Sequence, residues 1–236
     1  MEKGKFMTQL ENNDIIKAYH SFLEDKAFPC VAAKAAMARN QVHCFVAAHM
    51  ACPKDDTAIL RFLYEFVDTY RKSEASFHSA AILFKGPVMS HEEAFDALLW
   101  QRLQALADLD AASYPYDDRV NNNPFSPKFS FSLKAEGFFV IGLHPASSRP
   151  ARQFAYPALI FNPHAEFEKL RTTQSYEKMK HIVRGKDMMY SGSINPMLTD
   201  FGTASDVYQY SGKQYDTDWQ CPLKTNHAKP QHHPAP

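Results

Sequence analysis

Apolar positions recur along the chain at two alternating periods. From Leu10 to Glu24, Ile15, Ile16, Tyr19, Phe22 and Leu23 gather on one helical face. An alanine-rich stretch, Val31 to Arg39, follows Phe28-Pro29-Cys30, with Pro29 suited to a first helical position, where its missing N–H costs nothing. Val42 to Ala48 reads as a short strand. Thr57 to Arg71 sets Leu60, Leu63, Tyr64, Val67 and Tyr70 at amphipathic-helix spacing. Phe77 to Lys85 reads as a buried strand, and Ser90 with Glu93 makes a capping-box pattern ahead of Phe95, Leu98, Leu99 and Leu103.

Asp108 to Pro127 is rich in turn formers and predicts a long loop. Strands are expected at Lys128–Leu133, Gly137–Leu143 and Pro157–Phe161. Asn162-Pro163 then offers a cap and a first-turn proline for a helix through Arg171, with another helix over Ser175–Lys186. Helices and strands in this order predict an α+β fold, a mainly antiparallel sheet packed with helices, rather than strict βαβ alternation. Residues 1–223 are expected to form a single catalytic domain, and 224–236, ending KPQHHPAP, a disordered polar tail.

Composition narrows the function classes. The 236 residues suit one large domain, and 45% hydrophobic with 22% charged residues is ordinary for a globular chain. The 26 Lys and Arg cancel the 26 Asp and Glu, so no excess positive charge draws the chain to nucleic acid or to an anionic membrane. There is no membrane-span or signal-peptide pattern. With Cys30, Cys44, Cys52 and Cys221 read as thiols, the expected location is cytoplasmic. The eight glycines form neither G-x-G-x-x-G nor a P-loop, and C-x-x-C, H-E-x-x-H and G-x-S-x-G are missing, which argues against dinucleotide, nucleotide, zinc and serine-hydrolase chemistry.

The densest candidate chemistry runs from Phe138 to Arg171. A strand delivers His144 at its end, Pro145 stops further pairing, and Arg149 and Arg152 follow in one loop. A neutral imidazole suits haem iron, and guanidinium forks suit propionates. The alternative for His144 is a hydrogen-bonded structural histidine. His164, one turn before Phe167 and Glu168, is the second candidate ligand or distal acid/base, and Glu166 stands beside it; helix-terminus roles explain both equally well. Cys30, at a helix start, is expected to have a lowered pKa and to ligate iron or attack, unless it is a small buried hydrophobe. Asn195, Asp200 and Tyr210 lie in a Gly, Asn, Pro and Ser-rich segment that reads as a rim.

FPC at 28–30, GLHPASSRPAR at 142–152, FNPHAEFEKLR at 161–171, INPML at 194–198, and YSGK with a downstream WQCP occur in the order of the YqcI/YcgG family, which the chain resembles over about residues 27–223. At position 166 glutamate replaces the glutamine frequent in that family. The resemblance implies a haem-dependent N-hydroxylase, a monooxygenase of the guanitoxin-biosynthesis type. Such an enzyme converts N–H to N–OH on a small guanidine or amine substrate, arginine-like, using O2 and an external electron donor. Joined to the residue reading, the resemblance makes heme b the cofactor, with His144 the first choice of iron (metal) ligand ahead of His164 or Cys30, Arg149, Arg152 and Cys30 as cofactor-binding residues, and His164 and Glu166 as catalytic; the family does not fix the axial ligand. Glu166, Glu168 and Asp200 are the candidate carboxylates for a cationic substrate. A homo-oligomer is left open. The competing classes are a non-catalytic haem carrier or sensor and a Cys30-dependent transferase or hydrolase.

Overall fold

In the computed structural model, residues 2–171, 175–195, 197 and 202–227 are described. Among them, the chain runs α1 (Glu2–Glu24), α2 (Val31–Ala38), β1 (Val42–His49), α3 (Asp56–Lys72), β2 (Ser79–Gly86), α4 (Glu92–Ala111), β3 (Phe131–Leu133), β4 (Glu136–Leu143), β5 (Ala158–Pro163), α5 (His164–Arg171), α6 (Ser175–Ser191) and α7 (Val207–Tyr210). The strands make one sheet ordered β1-β2-β5-β4-β3. Only β1 and β2, joined through α3, run parallel; β2–β5, β5–β4 and β4–β3 are antiparallel. The fold is α+β, as the element order predicts.

Both sheet faces are covered. Ala80, Ile82 and Phe84 of β2 join Leu63, Phe66, Phe95 and Leu99 of α3 and α4 in the larger core. Their neighbours Ala81 and Leu83 point the other way, onto Ile15, Tyr19 and Leu23 of α1. This period of two explains why β2 is a continuous apolar run. On β4, Val140 faces the α3/α4 side, and Gly142 leaves room there: a Cβ on Gly142 would come within 2.5 Å of the Phe95 ring and 2.9 Å of Leu99. Asp56 and Arg102, both buried, form an ion pair that ties the start of α3 to α4, and Arg102 Nε also donates to the Met50 carbonyl at 3.1 Å.

Several local expectations shift. The capping box on Ser90 and Glu93 does not form, because His91 is the N-cap and its Nδ1 accepts from the Ala94 N–H at 3.2 Å. Cys30 caps α2, so Pro29 lies just outside the helix instead of opening it. Asn162 and Pro163 extend β5 rather than cap a helix: the Asn162 side chain accepts from Ser79 Oγ at 3.0 Å, and α5 begins directly at His164. Part of the expected tail is packed. Lys224 N donates to Gln104 Oε1 at 2.8 Å, and His227 is buried against Asp110 at 2.9 Å. Residues 228–236 lie outside the described residues.

Candidate functional site

Two adjoining cavities lie near β4, β5 and α5, and Phe77, Glu166 and Leu170 line both. The first, a mainly apolar chamber of about 340 Å3, is bounded by the Phe28–Cys30 corner before α2, by Phe139, Ile141 and Leu143 of β4, and by residues of α5 and α6. These β4 residues alternate with those facing α3 and α4, so the chamber occupies the opposite sheet face. The second, polar chamber of about 720 Å3 is lined by the end of α3, the Pro115–Arg119 loop and α5. Both volumes fall within the range of small-molecule sites.

Cys30, Arg149, Arg152 and Glu166 all line the apolar chamber. Cys30 Sγ accepts the Ala33 N–H at 3.4 Å as the N-cap of α2. Its thiol pKa is raised, not lowered as the helix-start argument expects: burial disfavours the thiolate more than the N–H groups of Ala33 and Ala32 favour it. Arg149 Nη2 donates to Asp187 Oδ2 at 2.7 Å and to the Ser193 carbonyl at 2.9 Å, joining its loop to α6. Arg152 is committed to structure, with donors to the carbonyls of Gln209 (2.7 Å), Tyr210 (3.0 Å) and Gly142 (3.2 Å). Burial, reinforced by Arg149, lowers its guanidinium to about 10.

The two histidines singled out from sequence line neither chamber. His144 continues the Val140, Gly142 alternation and stacks on Phe95 of α4. It is fully buried, and neither ring nitrogen has a hydrogen-bond partner among the described residues. Burial lowers its pKa to about 4, so the ring is neutral. His164 opens α5, with Nδ1 2.8 Å from Ser130 Oγ and Nε2 3.1 Å from Glu168 Oε1. Its pKa is lowered mainly by burial, with Glu168 opposing. Glu168 also pairs with Arg171 and lines neither chamber. Of the expected rim residues, Asn195 lines the apolar chamber, whereas the buried Tyr210 hydroxyl donates to the Phe138 carbonyl at 3.2 Å. Asp200 lies outside the described residues.

Sequence reasoning missed His78, which lines the apolar chamber and grips Glu166. Its backbone N–H donates to Oε2 at 2.8 Å and its Nδ1 lies 2.7 Å from Oε1. It also missed the polar chamber's charge network. Buried Glu136 accepts from Arg71 Nε at 3.2 Å and from Arg119 Nη2 at 2.7 Å. Buried Asp117 accepts from Gly137 N at 2.7 Å and is held by Arg119 through Nε and Nη2. Burial pushes the Asp117 carboxyl up, but Arg119 and the N–H of Gly137 outweigh it and hold the pKa below the usual range. Asp117 and Arg119 looked like turn residues; they pair with each other and reach Gly137 and Glu136 of β4. Among the described residues, no three His, Cys, Asp or Glu cluster to hold a metal ion.

The YqcI/YcgG family model matches residues 19–224. The chain belongs to the YqcI/YcgG family. It is similar to the uncharacterized protein YqcI of Bacillus subtilis (strain 168), 25% identical over 199 residues, covering 81% of this chain and 76% of that protein. It is also similar to the uncharacterized protein YcgG of the same organism, 24% identical over 182 residues, covering 74% of this chain and 71% of that protein. No solved structure matches the chain. Among the described residues, no helix is long and apolar enough to cross a membrane.

Proposed function

We propose that this protein is a haem-dependent N-hydroxylase in which the apolar chamber takes the cofactor and the polar chamber takes a small guanidine or amine. The observation that carries the reading is the contact of two unlike chambers through one shared wall, formed by Phe77, Glu166 and Leu170. An apolar floor of Phe139, Ile141 and Leu143 suits a flat apolar macrocycle, and the Arg149 guanidinium at the chamber's edge suits its carboxylates. Cys30 is the candidate ligand that lines this chamber. The Ala33 N–H at its sulfur would moderate a thiolate there, since hydrogen bonds to an axial sulfur tune the metal's electronics.

Bound haem supplies the activation of dioxygen, with electrons from an external donor. The chain's own residues bind, orient and shield. Glu136, Asp117 and Glu166 give the polar chamber acceptors for a cation, while Arg71 and Arg119 hold the first two in place. Holding the reactive nitrogen beside the shared wall is positional catalysis. The four cysteines are free thiols, which favours a cytoplasmic setting. The test is oxygen uptake by haem-reconstituted protein across a panel of arginine-like guanidines and amines. Uptake that tracks a hydroxylated nitrogen product supports the reading, and cofactor binding without substrate-dependent uptake favours a carrier or sensor.

A further inference from the structure

Glu166 lies in the wall between the chambers and lines both, so one carboxylate is shared by the polar and apolar sides. Its two oxygens are each taken by a donor of His78, at 2.8 and 2.7 Å. His78 Nε2 lies 3.0 Å from Ser73 Oγ, and Ser73 lines the polar chamber. Ser73 Oγ also accepts the Ala75 N–H at 3.2 Å, which anchors the hydroxyl beside Nε2. An ionised Glu166 oxygen 2.7 Å from Nδ1 can only accept, which puts an imidazole proton on Nδ1, pointing at Glu166. The adjoining Phe77 has φ of 71°, a left-handed conformation that non-glycine residues rarely adopt and that occurs at functional sites, and the Arg39 guanidinium lies 5.1 Å from its ring.

We propose that Glu166 carries protons through the wall from the polar to the apolar chamber, with His78 and Ser73 as the positioning residues that keep its carboxylate astride that wall. The inference rests on the apolar chamber being the place of reaction. In the step, an oxygen of Glu166 forms an O–H bond with a proton from a hydronium ion in the polar chamber, releasing water. The resulting carboxylic acid breaks that bond to give the proton to an acceptor on the apolar side, restoring the carboxylate. No electrons change hands. His78 takes no part in the transfer itself, so each cycle resets without turning the ring.

Other titratable groups surround the pair, among them Arg71, Arg119 and Glu136 of the polar chamber and Lys180 and Arg184 of the apolar one. Tyr70 of α3 meets the His78 ring edge-on at 5.2 Å, and burial followed by Glu136 and Glu166 raises its phenol to about 12, so it stays protonated. His43 of β1 lies close enough for His78 to depress its pKa further after burial. Lys169, on the same helix as Glu166, lines the polar chamber. Burial raises the Glu166 pKa against the opposing bonds from His78.

The test uses the full chain labelled at the glutamate carboxyl carbon, first without cofactor. The resonance missing in Glu166→Gln should titrate with a midpoint above those of exposed glutamates. Ser73→Val should move that midpoint, and Ser73→Thr, which keeps the hydroxyl, should hold it. In haem-loaded protein, Glu166→Gln should keep the cofactor band while hydrogen peroxide released per oxygen consumed rises severalfold. A Glu166 resonance that does not titrate between about pH 4 and 8 overturns the proposal. An unchanged peroxide ratio in Glu166→Gln overturns it as well. If wild-type protein gains no cofactor band, the haem reading fails, and the titration with its Ser73 variants decides proton uptake by Glu166 on its own.

Discussion

The imidazole of His144 lies nearly flat against the ring of Phe95, with 4.2 Å between centroids and 22° between planes. This places the strand-end histidine against α4, across the sheet from the apolar chamber, where its ring is part of the packing.

Acid should therefore act on stability through His144. Its folded-state pKa, lowered by burial to about 4, lies below the ordinary 6.5, so between those values the unfolded chain binds a proton that the folded chain does not. Its contribution is intact above pH 6.5 and is lost as pH falls toward 4. The loss from this group should reach about 2–3 kcal/mol near pH 4.5. His144→Phe, which keeps an aromatic ring on Phe95 and removes two unpartnered nitrogens, should flatten that part of the profile. Urea unfolding of both proteins at neutral and acidic pH measures it; parallel pH profiles would refute it.

The position of His144 was legible in principle. Val140, Gly142 and His144 share one side of an extended segment, and recognising Gly142 as the place where α4 approaches would have put His144 beside that helix. The sheet class and the helix positions were legible because amphipathic spacing in α3 and alternation in β4 are local signals. The shared wall was not. It joins His78 to Glu166, 88 residues later, the polar chamber beside it joins Arg71 to Glu136, 65 residues later, and no local pattern encodes such long-range pairs.

Arg152 and Arg149 should separate on substitution. Arg152→Leu removes a buried side chain's donors to three carbonyls and should cost about 3 kcal/mol or more. Arg149→Leu removes one partner of Asp187, which keeps bonds from Ser191 Oγ at 2.9 Å and Asn195 N at 3.1 Å, so the loss should be smaller. Denaturant midpoints give the ranking, and a larger loss at Arg149 would contradict it.

Gly142→Ala should destabilise the protein through α4. The new methyl would sit 2.5–2.9 Å from Phe95 and Leu99, closer than carbon atoms pack, and overpacking of this kind costs about 1–3 kcal/mol. Thermal unfolding reads the loss, and Gly142→Ala combined with Phe95→Leu should recover part of it. An unchanged melting temperature in the single variant would show that the face is looser than described.

Haem titration followed by absorbance tests the central claim most directly, using the wild type, Cys30→Ala, His144→Phe and a chamber-filling Ile141→Trp. The account predicts a saturable Soret band in the wild type and in His144→Phe, a changed band with a lost thiolate-type ferrous carbonyl spectrum in Cys30→Ala, and weakened binding in Ile141→Trp. A band lost only in His144→Phe, or no Soret band in any of the four proteins, would contradict it.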